Sequence, residues 1–154
     1  MNTSLYSMKV TGTESNCAEF YMILNGDHPE RTAYKELRDF EWYFERDTEK
    51  GFCLYLDGYC PLLVSLSFGK DIEDMSCSLL LEESRRLNLS IEIYNVCPNC
   101  SMAEYLYIKD GIVMQWKLAG YYANDLPYDV TTLPYEWETC DPKKLMGFES
   151  TLSK

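Results

Sequence analysis

From Asp39 to Asp47 the chain alternates without interruption: Phe40, Trp42 and Phe44 take one side, and Asp39, Glu41, Tyr43, Glu45 and Asp47 the other. A period of two sends successive side chains to opposite faces, so this segment is a strand with one apolar face and one wet face. The run Asp47-Thr48-Glu49-Lys50-Gly51 suits a hairpin connection, and beyond it Phe52, Leu54 and Leu56 alternate with Cys53, Tyr55 and Asp57. Two antiparallel strands with a common apolar face need a partner layer to bury it, which restricts the chain to sheet-containing folds.

The remaining segments supply that layer. Leu5, Met8 and Val10 mark an imperfect strand over Ser4 to Thr11. A helix follows, with Ser15 or Asn16 as N-cap, Phe20, Ile23 and Leu24 at one-turn spacing, and Asn25-Gly26 as its stop. Pro61 is placed to start a short helix carrying Leu62, Leu63 and Leu66, broken near Gly69, and Ser76 or Ser78 opens a longer one through Leu79, Leu80, Glu83 and Leu87. Leu89, Ile91 and Ile93 alternate with Ser90, Glu92 and Tyr94 as a further strand. Glu104 to Lys109 and Ile112 to Lys117, joined by Asp110-Gly111, read as a hairpin.

The order β-α-β-β-α-β predicts an α+β, ferredoxin-like fold: one antiparallel sheet with helices on one face, extended by the extra hairpin. In that plan the strand from Asp39 to Asp47 lies at a sheet edge, where its carboxylates discourage edge-to-edge aggregation. After Gly120 the chain turns polar and carries Pro127, Pro134 and Pro142, so residues 121–154 are expected as an irregular tail packed on a core over residues 4–120 of one domain.

The run from Leu80 to Tyr94 (LLEESRRLNLSIEIY), the following Glu104 to Gly111 (EYLYIKDG) and the earlier Leu54 to Cys60 (LYLDGYC) resemble the YubB-type ferredoxin-like proteins of phages, plasmids and integrative elements. The resemblance spans roughly residues 4 to 120 and rests on core and turn positions. It implies a mobile-element setting and carries over no activity or catalytic residue.

Charge narrows the partners. With 25 acidic against 14 basic residues the net charge is −11, which repels the phosphates of nucleic acids and anionic membranes and favours a basic partner. No stretch approaches the length of about 20 apolar residues that spans a bilayer. The opening MNTSLYSMKVTGTE lacks a basic region followed by an apolar run, so a cytoplasmic location is expected. Seven cysteines, at 17, 53, 60, 77, 97, 100 and 140, are an odd number for a disulfide framework and read as reduced thiols.

Sites with recognisable chemistry are few. Cys97-Pro98-Asn99-Cys100 has the spacing of half a zinc site, but two further ligands would have to come from Cys60, Cys140, Cys17 or His28 by tertiary arrangement; a turn with two unpaired thiols is the simpler reading, and no cofactor is expected. His28 precedes Pro29 in a polar loop without a neighbouring nucleophile, as a solvated histidine would. Phosphate-binding glycine loops, HExxH and GxSxG are absent, and the chain reads as a non-enzyme. A patch of Asp71, Glu73, Asp74, Glu82 and Glu83 reads as a charged helix start.

The wet strand face remains as the candidate site. Alternate strand residues lie about 6.6 Å apart, so Asp39, Glu41, Glu45 and Asp47 form a regular line of negative charge, extended by Asp57 and Glu92 and interleaved with Tyr43, Tyr55 and Tyr94. Aromatics on such a sheet stack RNA bases only beside basic residues, whereas here the neighbours are acidic. Tyrosines among carboxylates suit a basic protein, such as the nucleic-acid channel of a nuclease. The expectation is a protein-binding inhibitor of the anti-CRISPR or other anti-defence type, acting through nucleic-acid-like charge. The alternatives are a small zinc-stabilised domain using Cys97 and Cys100, and an enzyme with an unrecognised carboxylate site.

Overall fold

The computed structural model describes residues 3–31, 40–47, 49, 51–61, 78–97, 101–120 and 138–141. They form β1 (Thr3–Gly12), α1 (Glu14–Asn25), β2 (Phe40–Asp47), β3 (Gly51–Pro61), α2 (Ser78–Arg86), β4 (Ser90–Cys97), β5 (Met102–Lys109), β6 (Ile112–Gly120) and β7 (Glu138–Cys140). The strands make one seven-stranded sheet in the order β2-β3-β1-β4-β5-β6-β7, antiparallel at every pairing. The molecule is thus α+β and mostly sheet, with two helices among the described residues.

Alternation decides which face is buried. Met8 stands opposite Leu56 on one side and Ile93 on the other, Val10 opposite Leu54 and Ile91, and Ile93 opposite Leu106. These residues are buried and share one core with Cys17, Phe20, Ile23 and Leu24 of α1 and Leu80 of α2, so both helices cover the same face. Phe40 and Phe44 of β2 pack against this core only partly, beside Tyr21, and Trp42 remains 44% exposed. Among the described residues no helix is long and apolar enough to cross a membrane.

Helix α1 is capped by Thr13, ahead of the expected Ser15 or Asn16. Thr13 is extended (φ −76°, ψ 156°), and its Oγ1 accepts the Asn16 N–H at 3.2 Å, which satisfies a first-turn donor. Asn16 instead donates its side-chain amide to the Leu87 carbonyl at 2.9 Å and ties α1 to the end of α2. The stop at Gly26 is as expected: φ is 85°, and its N–H reaches the Ile23 carbonyl. Asp110 and Gly111 (φ 54° and 75°) close the β5–β6 hairpin with two left-handed residues, as the Asp-Gly pair predicts.

Other expectations are corrected. Pro61, expected as the first residue of a helix, is itself in a strand. It is the last residue of β3, opposite Thr3. Leu62, Leu63 and Leu66 of the expected short helix, and Asp71, Glu73 and Asp74 of the expected acidic patch, lie outside the described residues. Strand β4 runs past Tyr94 to Cys97, because Cys97 pairs with Met102 in the extended β5. The segment after Gly120 is not wholly irregular, since β7 pairs with β6 through Thr139 and Lys117.

Candidate protein-binding face

The second face of the sheet carries odd-numbered residues of β1, β2, β3 and β5, even-numbered ones of β4, and Gln115 and Lys117 of β6. The registers arrange them in rows running across the strands. One row reads Tyr43, Tyr55, Lys9, Glu92, Tyr107, Gln115; the next reads Glu41, Asp57, Ser7, Tyr94, Tyr105, Lys117; a third reads Glu45, Cys53, Thr11, Ser90, Lys109. Neighbours within a row are about 4.8 Å apart, and Cys53 of the third row is buried.

Seven of the nine residues expected at the site are therefore placed on one face: Glu41, Tyr43, Glu45, Tyr55, Asp57, Glu92 and Tyr94. Asp47 ends β2 opposite Gly51. Asp39 lies outside the described residues. Glu41, Tyr43, Glu45 and Asp57 are exposed, whereas Tyr55, Glu92 and Tyr94 are half-buried.

The rings are ordered. Tyr43 and Tyr55 stack with centroids 4.7 Å apart and planes 10° from parallel, while Tyr94 and Tyr105 lie 4.9 Å apart at 52°. Such pairs contribute beyond their buried area and present a rigid surface. Burial and the neighbouring Glu92 raise the Tyr94 and Tyr105 pKa values, and burial raises that of Tyr55 against the opposing pull of Lys9.

Charge is divided unevenly over this face. Glu41, Glu45 and Asp57 occupy the β2–β3 side, with no cation from the described residues of those strands facing the same way. Toward the middle, Lys9 stands between Tyr55 and Glu92, its Nζ 5.8 Å from the Tyr55 ring centre. Lys117 lies 5.7 Å from the Tyr105 ring centre, and Lys109 ends the third row. The acidic line consequently does not cross the sheet; Glu92 is set apart from Asp57 by β1 and sits beside Lys9. Sequence reasoning missed Lys9, although Ser7, Lys9 and Thr11 form the polar side of an alternating strand.

Glu83 is completely buried and accepts from Arg86 Nε at 2.8 Å and from the Arg31 guanidinium, so it is an ion-pair hub and not a solvated helix-start carboxylate. Burial alone would lower the Arg86 pKa, but its hydrogen bonds to Glu83 and Glu19 carry it above its ordinary value. His28 is not a freely solvated loop residue: its side chain is only 13% exposed, and Nδ1 accepts from the Glu30 and Arg31 N–H groups at 3.1 and 3.0 Å. Cys97 is a buried free thiol at the end of β4, and Cys100 lies outside the described residues. Among the described residues no group of three His, Cys, Asp or Glu side chains is arranged to hold a metal ion. A cleft of about 380 Å³ is lined by Leu81, Glu82, Arg85, Arg86 and Gly111, beside α2 and the β5–β6 turn.

Comparison with family models, curated proteins and solved structures found no match to this chain.

Proposed function

We propose that this is a non-catalytic interaction protein that binds a basic, nucleic-acid-handling protein and inhibits it by offering nucleic-acid-like charge, in the manner of an anti-CRISPR or other anti-defence inhibitor. The observation that carries this reading is the β2–β3 side of the open face, where exposed Glu41, Glu45 and Asp57 flank the stacked Tyr43–Tyr55 pair. Carboxylates held at strand spacing give a regular negative array, and the stack offers the flat contact that protein interfaces favour.

The proposed setting is a phage or other mobile element, and the proposed fold plan is ferredoxin-like βαββαβ. The resemblance of Leu80–Tyr94 and Glu104–Gly111 to YubB-type proteins supports the first. The strand order β2-β3-β1-β4, with β5 and β6 added beyond β4, supports the second.

Capture from host lysate at low and high salt, followed by competition with DNA for the captured protein, tests the function. Capture should weaken steeply with ionic strength, the bound partner should lose its nucleic acid, and the double variant Glu41→Lys, Glu45→Lys should capture nothing. Capture that is indifferent to salt and to charge reversal rejects the reading.

A further inference from the structure

Strand β2 is the terminal strand of the sheet, paired with β3 on one side, and among the described residues no strand lies along its other side. A terminal strand presents a row of backbone N–H and C=O groups on which an extended segment can add. Its two faces differ in chemistry. Glu41, Tyr43 and Glu45 line the open face, while the exposed Trp42, between half-buried Phe40 and Phe44, lines the other. Trp42 packs on Tyr21 at 4.4 Å and on Phe44 at 5.0 Å, so the aromatic side is fixed in place.

Self-pairing of this edge is opposed by charge in its central registers. Antiparallel self-pairing about Tyr43 sets Glu41 against Glu45, and self-pairing about Phe44 sets Glu41 against Asp47. Directly opposed like charges destabilise a strand pair. A strand with lysine or arginine at every second position and apolar residues between them meets the edge without conflict, its cations facing Glu41 and Glu45 and its apolar side chains facing Trp42.

We infer that β2 is a docking edge for an extended basic segment of the partner, which adds as an eighth strand with basic and apolar residues alternating. The inference rests on the function proposed above and specifies how the partner is held: backbone pairing fixes the register, and the carboxylates select the sequence.

The probe is a synthetic peptide of the length of β2 in which lysine and valine alternate, compared with a block-ordered peptide of the same composition and with an alternating peptide N-methylated at every second residue. In NMR titrations the alternating peptide should bind and slow exchange of the β2 amides that point away from β3. The N-methylated peptide should not bind, and Glu41→Lys with Glu45→Lys should weaken the alternating peptide roughly tenfold or more. If block-ordered and N-methylated peptides bind as well as the alternating one, strand addition is overturned while recognition by charge stands. If none binds, or if charge reversal changes nothing, the docking edge is overturned; whether the function falls with it is read separately, from the salt dependence of lysate capture.

Discussion

At the scale of single residues, burial raises the pKa values of Tyr55, Tyr94 and Tyr105 on the open face. The same holds for the thiol beneath it. Cys17 is fully buried in α1 and lies 3.8 Å from the Phe52 carbonyl oxygen; burial first, and the neighbouring Cys53 second, push its pKa from 9.0 up to about 11. A thiol held neutral in the folded state contributes stability that is fully present below pH 9.0 and is lost as pH rises to about 11, because the unfolded chain ionises first. Urea denaturation across this window should show stability falling by up to about 2 to 3 kcal/mol from this residue, and Cys17→Ala should flatten that slope. Tyr94 and Tyr105, also raised, continue the loss at higher pH in both proteins. Much at this scale is legible in the sequence, because parity alone assigns Glu41, Tyr43, Glu45, Tyr55 and Asp57 to one side of their strands. The position of Lys9 between Tyr55 and Glu92 is not, because it depends on which strands become neighbours and in what register.

Between elements, the loop after α1 is fastened to α2 by charge. Arg31 and Arg86 converge on Glu83, and Arg86 also reaches Glu19. Replacing Glu83 by Ala leaves two guanidinium groups facing a buried void, and breaking a buried pair of this kind costs about 3 to 5 kcal/mol. Because the arginine side chains are 27% and 32% exposed and can regain water, the loss should fall near the lower end; chemical denaturation of Glu83→Ala against the parent protein measures it. Strands β2, β3 and β4 announce themselves in the sequence through their alternation, β5 and β6 through the Asp110-Gly111 turn that joins them, and the end of α1 through the Gly26 stop. Strand β7 does not: at three residues it carries no period to detect, and it exists because β6 offers an edge to pair with. The start of α1 is ambiguous in sequence because Thr13, Ser15 and Asn16 all cap helices well, and only the extended backbone at Thr13 distinguishes them.

For the whole molecule, 25 carboxylates against 14 cations mean that repulsion within the folded chain exceeds attraction over distances beyond individual pairs. Screening should therefore stabilise the protein. Raising salt from a few millimolar to about 0.15 M, where the screening length is about 8 Å, should raise the melting temperature in calorimetry while weakening any complex with a basic partner. A fall in melting temperature would show that local pairs such as Arg86–Glu19 outweigh the net charge. The order of the sheet also sets a schedule. Strand β1, near the start of the chain, is flanked by β3 and β4, and its pairing with β4 draws on residues as far along as Val96. At about 5 to 20 residues per second, synthesis leaves that strand waiting several seconds for its second neighbour. Until then the β4-facing edge of β1, with Met8 and Val10, lacks its second neighbour, so how fast the ribosome works bears on how much protein escapes aggregation.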